Sequence, residues 1–373
     1  MFEKINLKDW GFGEAFHSPA GEPLSDLEGA RIARITGQFR EIYRVVSETG
    51  EGLAAVTGRF RHEARGPADF PCVGDWVECH GGLTGDTAQI SRVLPRLTWL
   101  SRKTPGTTTV EQMIAANLDT VCIMQSLDHN FNLARLERYL AAVRAGGASP
   151  VILLNKADLC ADLNERRAAA LAIAGAAPVH VLSAMDDADF APLAGYTRPG
   201  CTVAFVGSSG VGKSTLINRL LGRNLQATRA SRADDSRGRH TTVARELFRI
   251  PDGGLILDTP GMRELQLWET ATPTGEANAA ETEFQDIATL AADCQFHDCS
   301  HEEEPGCAVR AALQSGDLSE RRWRSYRKLT RELEYQKSRA DERGQLERKR
   351  KDKSLHKMYR RVQSEARRRR RSD

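Results

Sequence analysis

The sequence predicts a multidomain chain, with a small N-terminal β-barrel, an α/β domain of parallel strands, and a C-terminal helical module built around a metal site. Three observations predict it. Five short β-prone segments separated by turns fill residues 31–100. After Pro105, apolar runs alternate with amphipathic helices, the pattern of a parallel sheet. Finally, Cys294, Cys299 and Cys307 crowd together beside His297 and His301, and such clustering is what metal binding requires. At 373 residues, the chain has room for about two to four domains, each with its own core.

Residues 1–29 are polar, rich in Gly and Pro, and without sustained period, so they read as an extension of a composition compatible with disorder. From residue 30 to 103, the segments RIARIT, IYRVVS, LAAVTGRF, DWVECH and AQISRVL alternate apolar with polar residues. Five strands in so short a span suit an OB-fold, a barrel that binds nucleic acid through one face. Residues 104–270 hold the apolar runs Thr120–Gln125, Val151–Leu154, Val179–Leu182, Thr202–Val206, Ala244–Ile250 and Leu255–Leu257. Helices are expected between them at Leu133–Ala145 and Lys213–Leu221, where apolar residues recur at three-to-four spacing. Residues 271–340 are helical in pattern around the cysteine cluster, and residues 341–373 form a basic tail with few apolar anchors.

Composition excludes several classes. The longest apolar runs are far shorter than a membrane span, and the first ten residues carry Glu3, Lys4, Lys8 and Asp9 rather than a signal peptide, so a cytoplasmic protein is expected. Cys72, Cys79, Cys122, Cys160 and Cys201 are scattered and read as reduced structural thiols. The net charge of +3 hides an asymmetry, because residues 343–373 carry +10 and the remaining 342 residues −7. A basic tail on a mildly acidic body points to a polyanionic partner. Nothing demands a dimer, and a monomer is expected.

The sharpest motif is Gly207-Ser208-Ser209-Gly210-Val211-Gly212-Lys213-Ser214, which follows the strand Thr202–Val206 and opens a helix at Thr215. Its backbone N–H groups can cradle phosphates at a helix N-terminus. Lys213 would bridge the terminal phosphates, and the Ser214 hydroxyl would ligate Mg2+. The base is read elsewhere. Asn155-Lys156-Ala157-Asp158 follows the strand Val151–Leu154, and a carboxylate at Asp158 can accept from both the ring N–H and the exocyclic amine of guanine. Adenine lacks that donor pair and would leave the carboxylate unsatisfied. Ser183-Ala184 resembles the accessory guanine loop.

Asp258-Thr259-Pro260-Gly261 supplies a carboxylate near the magnesium ion and a glycine N–H for the γ-phosphate. In Arg237-Gly238-Arg239-His240-Thr241-Thr242, Thr242 is the first candidate to complete the magnesium site, and Thr241 the second. Ras-like proteins place glutamine after Asp-x-x-Gly, whereas this chain has Met262, whose thioether cannot orient water. His240 is the candidate for that task, and Lys213 is the other catalytic candidate. Ras-like chains run phosphate loop, switch threonine, Asp-x-x-Gly, Asn-Lys-x-Asp, Ser-Ala. Here the last two come first, which gives a P-loop GTPase domain with circularly permuted motif order. Cys294-x4-Cys299-x-His301-x5-Cys307 has the ligands of a closed, structural zinc site, with His297 as the competing imidazole.

Gly74-Asp75-Trp76-Val77 in the barrel, Ala115-Ala116-Asn117-Leu118-Asp119, the permuted order, Gly238-Arg239-His240-Thr241-Thr242 and the Cys/His cluster together resemble the RsgA (YjeQ) family of bacterial small-ribosomal-subunit-dependent GTPases, over roughly residues 30–335. The resemblance implies a cytoplasmic factor in late maturation of the small ribosomal subunit. In that family the barrel and zinc module contact rRNA, and the subunit stimulates hydrolysis of GTP to GDP and phosphate. The alternatives are an RNA-binding module that a nucleotide merely stabilises, and a metabolic P-loop kinase or ATPase, against which the guanine loop argues.

Overall fold

The computed structural model describes residues 4–13, 16, 30–39, 41–82, 86–103, 111–184, 186, 188–222, 245–251, 253–258 and 283–331. Strands β1 (Arg31–Phe39), β2 (Ile42–Ser47), β3 (Gly50–Val56), β4 (Trp76–His80) and β5 (Thr87–Val93) form the first unit, with helix α1 (Gly58–Glu63) between β3 and β4. They are bonded in the order β1-β2-β3-β5-β4, and β4 returns to pair with β1, closing the barrel. All neighbours are antiparallel except β3 with β5, the Greek-key arrangement of the OB-fold expected from the alternation. That alternation buries Ile35, Val45, Ala54, Val77 and Ile90.

Part of the N-terminal extension, residues 4–13 and 16, is described. Leu7–Trp10 form a 3-10 turn capped by the Asn6 side chain, and Trp10 and Phe16 are buried. Phe12 and Phe16 lie 4.8 and 5.8 Å from the ring of buried Trp76. Buried Arg34 fastens this segment, donating to the Trp10 carbonyl, to Gly74 O at 3.3 Å and to Asn117 O at 3.0 Å. Burial pulls its pKa down to about 10, with Asp119 and Asp75 opposing. One side chain thus ties the N-terminal segment, the barrel and the entry to the next domain.

A hairpin of β6 (Trp99–Lys103) and β7 (Glu111–Ala116) spans the expected boundary at residues 103–104. Beyond it, β8 (Thr120–Ser126), β9 (Ser149–Asn155), β10 (Val179–Val181), β11 (Thr202–Val206), β12 (Arg245–Arg249) and β13 (Leu255–Asp258) run in the order β10-β9-β8-β11-β13-β12. All are parallel except β12, which is antiparallel to β13. Every residue of β8 is buried, with Val121 and Ile123 in one core and Cys122 and Met124 in the other. A continuous apolar run is what a strand covered on both faces requires. Helices α2 (Leu133–Ala145), α3 (Leu163–Ala174) and α4 (Lys213–Leu220) connect these strands.

Strand β12 also pairs with β1, through Gly37 opposite Glu246 and Gln38 opposite Arg245. Barrel and α/β sheet are therefore one 11-stranded sheet. The C-terminal module comprises α5 (Gln285–Ala292), α6 (Ala308–Ser315) and a helix α7 over residues 320–331. It docks on α2 through ion pairs. The buried Glu137 carboxylate accepts from Arg321 at 3.2 Å and Arg322 at 3.4 Å, and Arg144 pairs with Glu283. Among the described residues, no helix is long and apolar enough to cross a membrane.

Candidate functional site

Strands β8, β9, β10 and β11 are parallel, so their carboxyl ends share one edge of the sheet, where open α/β sheets bind ligands. The loop after β11 is the expected phosphate cradle. Gly207, Ser208 and Val211 are buried, while Ser209 and Gly210 stand exposed at the tip. Lys213 opens α4 and places Nζ 2.7 Å from the carbonyls of both Gly207 and Ser208. Ser214 and Thr215 lie in the first turn of α4, whose leading N–H groups point into the loop. Gly212 caps the helix at φ +100°, and a Cβ there would lie 2.2 Å from Asn155 Nδ2.

Asn155 ends β9 and is buried. Its Oδ1 accepts from the backbone N–H of Ala184 at 2.8 Å, and its Nδ2 donates to Val211 O at 2.7 Å. One side chain therefore binds the Asn-Lys-x-Asp loop, the Ser-Ala loop and the glycine loop together, although the motifs are far apart in the chain. Arg219 of α4 also donates to Ala184 O at 2.8 Å. Lys156 adopts a left-handed backbone, φ 65°, and Asp158 is exposed on the 3-10 turn Ala157–Leu159 that follows. Ser183 and Ala184 are buried beside this turn, and the Ala157 N–H bonds Leu182 O at 3.3 Å.

Sequence reasoning missed the loop after β8. Ser126 donates to Asp128 at 2.7 Å, Asp128 accepts from Lys156 Nζ at 2.8 Å, and Asn130 reaches the phosphate loop. Burial would raise the Asp128 pKa. Hydrogen bonds from Lys156, Ser126 and the Asn130 backbone outweigh that effect and hold the carboxyl well below the ordinary carboxylate range. The available signal was Ser-x-Asp-x-Asn directly after a strand, which reads equally well as turn chemistry.

His240, Thr241, Thr242, Gly261 and Met262 lie outside the described residues. Asp258 ends β13, its backbone paired with Glu246.

Cys294, Cys299, His301 and Cys307 place their ligand atoms within 4.8 Å of one another. His301 Nδ1 is 3.5 Å from Cys294 Sγ and 3.4 Å from Cys307 Sγ, and the two sulfurs are 3.9 Å apart. A tetrahedron with ordinary zinc–sulfur and zinc–nitrogen bonds has edges of roughly 3.8 Å for S···S and 3.6 Å for S···N. The donor set therefore fits a four-coordinate soft cation, and His297 is not among the four. His301 reaches this position through a left-handed backbone, φ 61°, and packs 5.8 Å from the ring of Trp323.

The model of the family described as RsgA GTPase matches residues 93–268. A small ribosomal subunit biogenesis GTPase RsgA 2 of Lactiplantibacillus plantarum is 45% identical over 89% of this chain and 90% of its own. The small ribosomal subunit biogenesis GTPase RsgA of Opitutus terrae is 44% identical over 90% of this chain and 92% of its own. Among solved structures, YjeQ from Thermotoga maritima is similar at 25% identity, with a TM-score of 0.58, over 82% of this chain and 98% of that one. The fold is shared with YloQ, a circularly permuted GTPase, at 24% identity and a TM-score of 0.53, over 85% of this chain and 98% of that one.

Proposed function

The chain belongs to the RsgA GTPase family, and from that premise we propose that it hydrolyses GTP at the carboxyl edge of the β8–β11 sheet while bound to the small ribosomal subunit it helps to mature. The observation that carries this reading is the pair of hydrogen bonds that Asn155 donates to Val211 O and accepts from the Ala184 N–H. It supports a single pocket formed by base reader and phosphate cradle, despite their inverted order in the chain.

In this reading the guanine is recognised by Asp158, flanked by Asn155, Lys156, Ala157, Ser183 and Ala184. The phosphates lie along Gly207–Gly212, with Lys213 neutralising charge at the bond that breaks. The exposed Asp158 carboxylate would exchange water for two hydrogen bonds from guanine, whereas adenine would displace that water without offering the donor pair. Mg2+ held by Ser214 and Thr242, with Asp258 nearby, would neutralise charge on the terminal phosphates. Gly261 offers its N–H to the γ-phosphate, and Thr241 is the second candidate for the ion. With methionine at position 262, the attacking water needs another partner. His240 is the residue proposed to orient it, and the small ribosomal subunit is proposed to stimulate the reaction.

Zinc is the proposed occupant of the Cys294, Cys299, His301 and Cys307 cluster. Four protein ligands leave no open position, so the ion would hold α5, α6 and the intervening loop together rather than perform chemistry. The barrel, the zinc module and the basic tail are the proposed rRNA contacts of a monomeric, cytoplasmic factor.

The test is phosphate release from GTP with and without purified small ribosomal subunits, with an ATP control. Turnover of GTP alone, raised by subunits, is expected. Equal rates with and without subunits would refute the stimulated switch, and no turnover in either would leave a nucleotide-stabilised RNA-binding module.

A further inference from the structure

Besides Asn155, the nucleotide loops are held by a segment that no motif describes, the turn between β8 and α2. Within it, Asn130 Nδ2 lies 3.0 Å from Ser208 Oγ and 3.3 Å from Ser209 O. The orientation of the amide follows from its other neighbour. Arg135, in the first turn of α2, donates from Nη2 to Asn130 Oδ1 at 2.8 Å and also to the Asn130 carbonyl. A guanidinium only donates, so the amide oxygen must face Arg135 and the NH2 must face the phosphate loop. The backbone N–H of Asn130 is fixed in turn by Asp128 Oδ1 at 2.9 Å, and Asp128 holds Lys156 Nζ at 2.8 Å.

We propose that Asn130 is a positioning residue for GTP hydrolysis, holding Ser208 and Ser209 where the terminal phosphate is received and linking them through Asp128 to the lysine of the base-reading loop. This rests on the nucleotide site proposed above. The half of the loop that Asn130 holds is the half beside Lys213, whose Nζ sits 2.7 Å from Ser208 O. In a phosphate loop that lysine serves the β- and γ-phosphates. Val211, on the side of the inner phosphates and the helix, is held instead by Asn155, which also packs against Gly212. The two asparagines thus divide the loop, Asn155 fixing the end that GDP also uses and Asn130 the end that matters when a third phosphate is present. Loss of Asn130 should therefore act on turnover more than on product affinity.

The experiment uses the full chain with small ribosomal subunits. It compares Asn130→Ala and Asn130→Asp with the unaltered protein in kcat, KM, affinity for a fluorescent GDP analogue and thermal midpoint. Two donated hydrogen bonds predict a fall in kcat of about tenfold, with GDP affinity held within about twofold. Asn130→Asp keeps the shape but presents a carboxylate, so it should not rescue. Ser208→Ala removes one of the two acceptors and should show a smaller fall, and adding it to Asn130→Ala should cost little more. An unchanged kcat would overturn the proposal. So would a fall in GDP affinity as large as the fall in kcat, or full additivity of the two substitutions. Absence of turnover by the unaltered protein would remove the hydrolysis reading on which this rests, leaving a nucleotide-stabilised module, and that outcome is separate from the others.

Discussion

Replacing Gly212 by alanine tests how the site is held together. The residue sits at φ +100°, and its Cβ would lie 2.2 Å from Asn155 Nδ2. A left-handed backbone costs a residue with a Cβ about 1 kcal/mol. The clash then adds to this. Asn155 is a terminal amide and could swing away on its own, but it is buried and bonded to Val211 O at 2.7 Å and to the Ala184 N–H at 2.8 Å. Moving it breaks both bonds and strands two buried backbone groups, at about 1 kcal/mol each. The backbone strain is a stability cost, whereas the two bonds shape the nucleotide pocket, and their loss, about 2 kcal/mol, corresponds to a loss of roughly 30-fold in affinity for GDP. Gly316 is the control, since it is also left-handed at φ +87° but has nothing within 4 Å of its Cβ position. Gly316→Ala should change stability by about 1 kcal/mol and leave nucleotide affinity unaltered. Titration with a fluorescent GDP analogue reads the difference. If Gly212→Ala binds GDP as well as Gly316→Ala does, Asn155 is not the fastening described here.

Three further substitutions probe other parts of the molecule. Asp158→Asn removes the charged acceptor for guanine and should weaken GDP binding roughly tenfold to 100-fold without creating ATP binding, as measured by titration with both nucleotides. Cys307→Ala removes a thiolate and the side-chain acceptor for Arg310 N–H at the start of α6. Zinc content by emission spectroscopy should fall from about one ion per chain to none, and GDP affinity should persist. Glu137→Ala removes the partner that Arg321 and Arg322 share, but Arg321 reaches solvent and Arg322 keeps Asp286, so the cost is about 1 kcal/mol. Limited proteolysis should then release the C-terminal module faster, with the earliest cuts near α5.

Much of this was legible in the sequence because it is written locally. Alternation marked the barrel strands, and an unbroken apolar run marked the doubly covered β8. The phosphate and base loops each sit at the end of a strand, so the motif and its context reinforce each other. What escaped is non-local. The β1–β12 pairing joins two residues on each strand across about 200 positions and leaves no local pattern. Glu137 looks like any solvent-facing helix charge until α7 covers it. Asn130 sits in a stretch where Ser, Asp and Asn suggest a turn, and only the fold brings that turn against Ser208. In the N-terminal segment, Leu7, Trp10 and Phe16 are too few to establish a period, yet they bury against the barrel.

The pairing of β12 with β1 also bears on solubility. In the α/β domain alone, β12 would be an outermost strand with a row of unmet N–H and C=O groups, the kind of surface on which chains stack into aggregates. The barrel occupies part of that margin through Gly37 and Gln38, and being closed by β4 it offers no comparable margin of its own. Expressed without its barrel, the nucleotide domain should therefore self-associate, even with its fold and its loops intact.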